Sequence, residues 1–200
     1  ISFKKSIRLE CSFIKGDFTM KKVGIIIGSS RPSRISPEIA DWLNQQLSSD
    51  QFETEIIDLA KVNLPFLDEE EVPAKQEYKQ EHSIDWSSKI KSLDSVVLLF
   101  PQYNWSFPAV LKNAVDYLAV EWKNKIVALV SYGSHGGLQA QMSFNMIAVG
   151  LKMQPTSVNP LLTINGEMFD EDNHFKDINN AFSSQAYKVE LLKEELNHLL

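Results

Sequence analysis

Two hundred residues with 44% hydrophobic content suit one domain with a substantial core. A net charge of −6, with no dense Lys/Arg cluster, argues against a nucleic-acid partner, so an anionic ligand must be held by a local site. The single cysteine, Cys11, and four scattered histidines (His82, His135, His174, His198) leave no disulfide framework and no metal-ligand spacing.

Residues 1–19 lack the long apolar core of a signal peptide, and nothing later approaches a membrane span, so the expected location is the cytoplasm. The chain opens with Ile, and Met20 directly precedes the first strand. Residues 1–19 are therefore expected to be an extension, non-native or disordered, and 20–200 the functional domain.

From Met20 the elements alternate. Residues 23–27 predict a strand, and 37–47 a helix with Ile39, Leu43 and Leu47 on one face and Ser36 as its candidate N-cap. A second strand is expected at 53–59, then an irregular segment at 60–73 and a helix at 78–93. Residues 95–100 form a continuous apolar run, as a strand buried on both faces requires. A helix is predicted at 107–120, with Leu111, Val115 and Leu118 aligned, Ser106 as candidate N-cap and Pro108 in the first turn. A fourth strand at 125–131, a helix at 138–150 and a short fifth strand at 154–158 follow. After a polar loop, 177–200 closes the chain as a helix with Val189, Leu192, Leu196 and Leu199 on one stripe. Five strands alternating with helices predict a mostly parallel α/β sheet covered on both faces and joined by right-handed crossovers.

Three strand ends run into loops of unusual composition, and in such a sheet all three lie on the edge where ligands bind. The first, 28–36, reads Gly-Ser-Ser-Arg-Pro-Ser-Arg-Ile-Ser and enters a helix N-terminus. Free backbone N–H groups, the helix dipole, hydroxyls and two arginines suit a phosphate. The loop carries no Walker or G-x-G-x-x-G pattern and no cysteine, and so no group that would attack the phosphate. The second loop, Pro101-Gln102-Tyr103-Asn104-Trp105, offers two flat apolar side chains to a planar heterocycle. The third, 132–137, places Gly133, Gly136 and Gly137 where a backbone can approach a ligand closely. His135 stands in that loop with no carboxylate nearby in sequence, which favours a hydrogen-bonding or solvent-facing role over that of a general base. Each loop alone could be an ordinary turn. Together they describe a phosphate cradle and two walls of a flat pocket.

The segments Gly28-Ser29-x-Arg31, Pro101-x-Tyr103-Asn104-x-x-x-Pro108-x-x-Leu111-Lys112-Asn113-Ala114-x-Asp116 and Tyr132-Gly133-x-x-Gly136-Gly137 closely resemble the NADPH-dependent FMN reductase family of flavodoxin-like proteins. The likeness covers nearly the whole chain from Met20. It implies a flavodoxin-like, doubly wound five-stranded sheet of order 2-1-3-4-5, and a homodimer or homotetramer with FMN near the subunit interface. It implies FMN as cofactor, NADPH or NADH as co-substrate, and a flavin, quinone or azo compound as small-molecule acceptor. Carried over by position, Ser29 and Arg31 would contact the FMN phosphate, while Pro101, Gln102, Tyr103, Asn104 and Trp105 would border the isoalloxazine ring. Tyr132, Gly133, Ser134, His135 and Gly136 would line the ring's other edge. Many members continue the first loop as Ser-x-Asn after the arginine. This chain has Arg34-Ile35-Ser36, and both Arg34 and Ser36 are chemically suited to phosphate.

The resemblance further implies that flavin N5 carries the chemistry, that no side chain is catalytic, and that two substrates exchange at one open face with ping-pong kinetics. The alternatives are a flavodoxin-type electron carrier or a flavin redox-sensing module. Neither would oxidise NADPH rapidly.

Overall fold

The computed structural model describes residues 20–200, and the extension expected at 1–19 lies outside the described residues. Four long strands, β1 (Lys21–Ile27), β2 (Phe52–Asp58), β3 (Ser95–Pro101) and β4 (Ile126–Gly133), lie parallel in the order β2-β1-β3-β4. Seven helices connect or cover them: α1 (Ser36–Gln46), α2 (Leu59–Val62), α3 (Glu81–Lys91), α4 (Ala109–Asp116), α5 (Leu138–Gly150), α6 (Ile178–Ala181) and α7 (Ala186–Leu199). The fold is flavodoxin-like, with helices on both sides of the sheet. Among the described residues no helix is long and apolar enough to cross a membrane.

The apolar run of β3 is divided between two cores. Val96, Leu98 and Phe100 face α3, α4 and α5, packing with Trp86, Ile90, Leu111, Val115 and Phe144. Val97 and Leu99 face α1 and α7, packing with Ile39, Leu43, Val189, Leu192 and Leu196. Period-two alternation between two apolar layers is why residues 96–100 of this strand are all apolar. Each such side chain contributes about 1.5–3 kcal/mol by leaving water. With its centre fully covered, the sheet can expose functional groups only at its ends.

The strand expected at 154–158 is shorter, and a second short strand lies in the stretch expected as loop. β5 (Gln154–Pro155) pairs with Ile126 and Val127, and β6 (Leu161–Thr163) pairs with Ser131, Tyr132 and Gly133 further along β4. Pro155 and Pro160 have no N–H to give, so a continuous ladder is impossible. Side-chain amides fill the gap: Asn159 Oδ1 accepts from Leu129 N–H at 2.7 Å, and Gln141 Nε2 donates to the carbonyls of Leu129 and Pro160 at 3.1 and 3.2 Å. The sequence pattern placed a strand only at 154–158, and tertiary amides carry the pairing on to β6.

Other boundaries also moved. α3 begins at Glu81 rather than at 78, because the Glu69 carboxylate accepts the N–H groups of Lys79 and Gln80 and holds that stretch outside the helix. The helix expected at 107–120 is α4, which starts after Pro108 as its N-cap and stops at Asp116. Ser106 is not its cap, since a reverse turn with Tyr103 consumes its backbone groups. The closing helix is broken into α6 and α7, because Gln185 turns to bind both the N–H and the carbonyl of Thr163, at 2.8 and 3.0 Å.

Candidate functional site

β1, β3 and β4 deliver the three unusual loops to one edge. In the first, Gly28 extends the ladder by donating to the Leu99 carbonyl at 2.7 Å. A Cβ there would sit 3.0 Å from Leu111 and 3.2 Å from Phe100, so glycine permits α4 to pack against the loop's root. Ser29 and Ser36 are fully buried, Arg31 is exposed and donates to Ser33 Oγ at 2.8 Å, and Arg34 pairs with Asp58 at 2.5 Å. Ser36 is not the N-cap of α1. That position is Ile35, with no side-chain cap, so the first turn keeps its unpaired donors and Ser36 keeps an unused hydroxyl.

Among the described residues, four buried side-chain polar atoms lack any hydrogen-bond partner, and three belong to this one loop: Ser29 Oγ, Arg34 Nε and Ser36 Oγ. Buried polar groups are otherwise satisfied, and each orphan costs about 1–3 kcal/mol. Three donor-capable groups beside an uncapped helix N-terminus match the acceptor oxygens of a phosphate.

In the second loop, Tyr103 and Ser106 exchange backbone hydrogen bonds of 2.8 and 2.9 Å across a two-residue turn. Its tip residues, Asn104 and Trp105, have φ of 47° and 67°. Two positive φ values suit a tight reverse turn, but a bulky Trp there costs on the order of 1–3 kcal/mol. The strain holds an indole that is 74% exposed, next to Tyr103 at 40%. Pro101 is buried at the end of β3, in register with Tyr132. Gln102 N–H donates to the Tyr132 carbonyl at 3.2 Å, while its Oε1 accepts from Ala140 N–H at 3.2 Å and ties the loop to α5.

In the third loop, Gly136 and Gly137 both lie in the left-handed region, with φ of 76° and 82°. A Cβ on Gly136 would come within 2.9 Å of Leu161, and one on Gly137 within 3.0 Å of Ser131, so neither position accepts a side chain. Gly133 has open space around it. Ser134 and His135 are exposed and bonded to each other at 3.1 Å. Tyr132 points the other way. Burial pushes its hydroxyl up to about 12, while Ser36 and Ser29 of the first loop pull it down. This side chain joins the serine cluster rather than the exposed edge.

Asp58 was not legible as a site residue. Its only sequence signal is an acidic residue at the end of an edge strand. A second element missed is the loop after α2, where Asn113 holds the Pro65 carbonyl at 2.7 Å and the Leu67 N–H at 3.1 Å. That clamp presents Phe66, 84% exposed, beside Ser30 and α4 across a cleft of about 550 Å³.

Residues 21–163 match the NADPH-dependent FMN reductase family, and 39% of 144 residues are identical to the NAD(P)H-dependent FMN reductase LOT6 of Saccharomyces cerevisiae, over 66% of this chain and 75% of that protein. The chain belongs to the NADPH-dependent FMN reductase family. It is thus an oxidoreductase that works with FMN and NAD(P)H. The likeness extends to the NAD(P)H-dependent FMN reductase ntnL of a Nectria species, 33% identical over 90% of this chain and 98% of that one. Among solved structures, the flavoenzyme NAD(P)H:(acceptor) oxidoreductase FerB from Paracoccus denitrificans superposes with a TM-score of 0.67 at 21% identity, over 90% and 98% of the two chains, and so shares the fold. The three loops of this FMN reductase family member are what its sheet presents in common.

Proposed function

We propose that this chain holds FMN with its phosphate in the first loop and its ring between the second and third, and passes reducing equivalents from NADPH or NADH to a flavin, quinone or azo acceptor. The observation that carries this reading is the set of three orphaned polar groups, Ser29 Oγ, Arg34 Nε and Ser36 Oγ, in one loop at an uncapped helix N-terminus. Arg31 is the exposed cation that meets the phosphate from solvent, and the Tyr132 hydroxyl adds a donor from below. The N-terminal half of α1 contributes its dipole.

Bound there, FMN supplies the hydride chemistry. The chain's part is to bind and orient. Tyr103 and Trp105 offer flat faces, held by a turn too tight to swing away. Gly136 and Gly137 keep the opposite loop free of side chains, so its backbone approaches the ring edge. Pro101, Gln102, Asn104, Gly133, Ser134 and His135 complete that border. In this reading the flavin carries the chemistry, and the side chains of the three loops bind and orient rather than catalyse. Nicotinamide and acceptor then use the same open face in turn, giving ping-pong kinetics in a cytoplasmic enzyme.

The copies of a homodimer or homotetramer would meet across α5. That helix has no charged residue and exposes Leu138, Met142, Met146 and Val149 along one side. An exposed apolar stripe of four large side chains calls for cover. Ser143 on the same helix bonds Ser106 at 3.0 Å, so the face adjoins the aromatic loop.

Anaerobic mixing of the FMN-loaded protein with NADPH tests the reading. Rapid bleaching of the flavin, followed by recovery on adding a quinone or azo dye, is expected. A flavin that stays oxidised would make the protein an electron carrier or sensing module instead.

A further inference from the structure

Asp58 ends β2 in register with Ile27, so its carboxylate opens at the same sheet edge as the first loop. Its two oxygens have separate tasks. Oδ1 accepts from the Ala60 N–H at 3.1 Å and caps α2. Oδ2 accepts from Arg34 Nη2 at 2.5 Å, and the two side chains are only 15% and 6% exposed.

A buried ion pair costs desolvation, and it recovers that cost only when the remaining hydrogen-bonding groups are satisfied. Here they are not, because Arg34 Nε is buried without an acceptor, as are two serine hydroxyls of the same loop. The pair is therefore incomplete as a structural device and complete only with a further anion. In charge terms Asp58 cancels Arg34, so it cannot strengthen long-range attraction to a phosphate. What it can do is fix the guanidinium in place before the anion arrives, removing the rotamer entropy that a free arginine would lose on binding.

We propose that Asp58 is a positioning residue of the anion site, acting through Arg34 to preorganise the loop for the terminal phosphate of the flavin. The proposal rests on the reading of the first loop as the phosphate site, and it concerns the place where this chain has Arg34-Ile35-Ser36.

The test compares the affinities of the apo-protein for FMN and riboflavin, read by flavin fluorescence, in wild type and in Asp58→Asn. Asparagine caps a helix as well as aspartate does, so α2 keeps its acceptor while the ion pair is lost. The wild type should prefer FMN; equal affinities there would sink the phosphate reading itself. Given that preference, Asp58→Asn should reduce the FMN-to-riboflavin ratio by about tenfold or more, with riboflavin affinity unchanged. A ratio that holds or rises overturns the proposal, a rise meaning that Asp58 merely repels the phosphate. Equal loss of both ligands also overturns it, because that is structural damage. In an Arg34→Ala background the Asp58 change should add nothing, and a further drop would show that Asp58 does not act through Arg34. Asp58→Ser, which also retains a capping oxygen, answers the same question should the asparagine variant fail to fold.

Discussion

Two buried polar clusters lie at opposite ends of this sheet, and they are built to opposite rules. At the far end Glu121 is buried in the turn after α4, yet its own carboxylate is fully engaged. Its carboxylate accepts from Ser87 Oγ at 2.6 Å, Gln76 Nε2 at 3.0 Å and Tyr78 OH at 3.1 Å, with Lys91 at 3.4 Å. At the edge that carries the three loops, Ser29 Oγ, Arg34 Nε and Ser36 Oγ are buried and unsatisfied. A saturated cluster stabilises the chain that contains it. An unsaturated one lowers apo-protein stability and reserves its donors for something else.

The largest expected effect breaks the saturated side. Glu121→Ala leaves Ser87, Gln76 and Tyr78 without their acceptor and should lower stability by about 3 kcal/mol in urea unfolding. The FMN-to-riboflavin ratio should not move. If it did, the two ends would be coupled and the contrast would fail. The same carboxylate gives a pH dependence. Burial pushes its pKa up, but the hydrogen bonds from Ser87, Gln76 and Tyr78 outweigh this and hold it below its ordinary 4.5. A group depressed in the folded state stabilises above its unfolded pKa, and that stability is lost as the pH falls through the folded value. Wild type should therefore lose stability below about pH 4.5 more steeply than a folded Glu121→Gln variant. Parallel acid-unfolding curves would remove Glu121 from the explanation.

On the unsaturated side, Arg31→Ala should weaken FMN binding by about 1.5–3 kcal/mol, the worth of a charge-assisted hydrogen bond, and leave apo-protein melting unchanged. A melting temperature that drops while affinity holds would make Arg31 structural. Ser36→Ala sharpens the comparison, because its two effects have opposite signs. Removing an orphaned hydroxyl should stabilise the apo-protein by about 1 kcal/mol while weakening FMN. Loss of both would mean that the hydroxyl has a protein partner after all. The smallest effect belongs to His135. Alanine there should leave the anaerobic rate of flavin reduction by NADPH within about tenfold, or about 1.4 kcal/mol of barrier. A thousandfold loss with FMN still bound would assign the imidazole to the chemistry.

Much of this molecule could be read from local pattern. The alternation of apolar runs and helical periodicities gave the order of elements, the β3 run 95–100 marked the doubly covered centre, and glycine, serine and aromatic loops marked the edge where the three loops gather. Those signals are local because a strand's burial or a turn's φ is written in its own few residues, as at Gly136 and Gly137. The details that tune the site are not local. Arg34 looks like a free phosphate arm until Asp58, 24 positions away, is found holding it. Tyr132 reads as part of a glycine loop, yet it turns to Ser29 and Ser36. The strand expected at 154–158 stops at Pro155, and β6 follows in the expected loop, because Asn159 and Gln141 replace the ladder that two prolines deny. Sequence by itself determined the layers and which edge would carry the three loops, since periodicity and turn chemistry are properties of consecutive residues. Only the tertiary structure decided which polar groups find partners and which stay open, since hydrogen bonding between distant segments depends on where the packed sheet brings them.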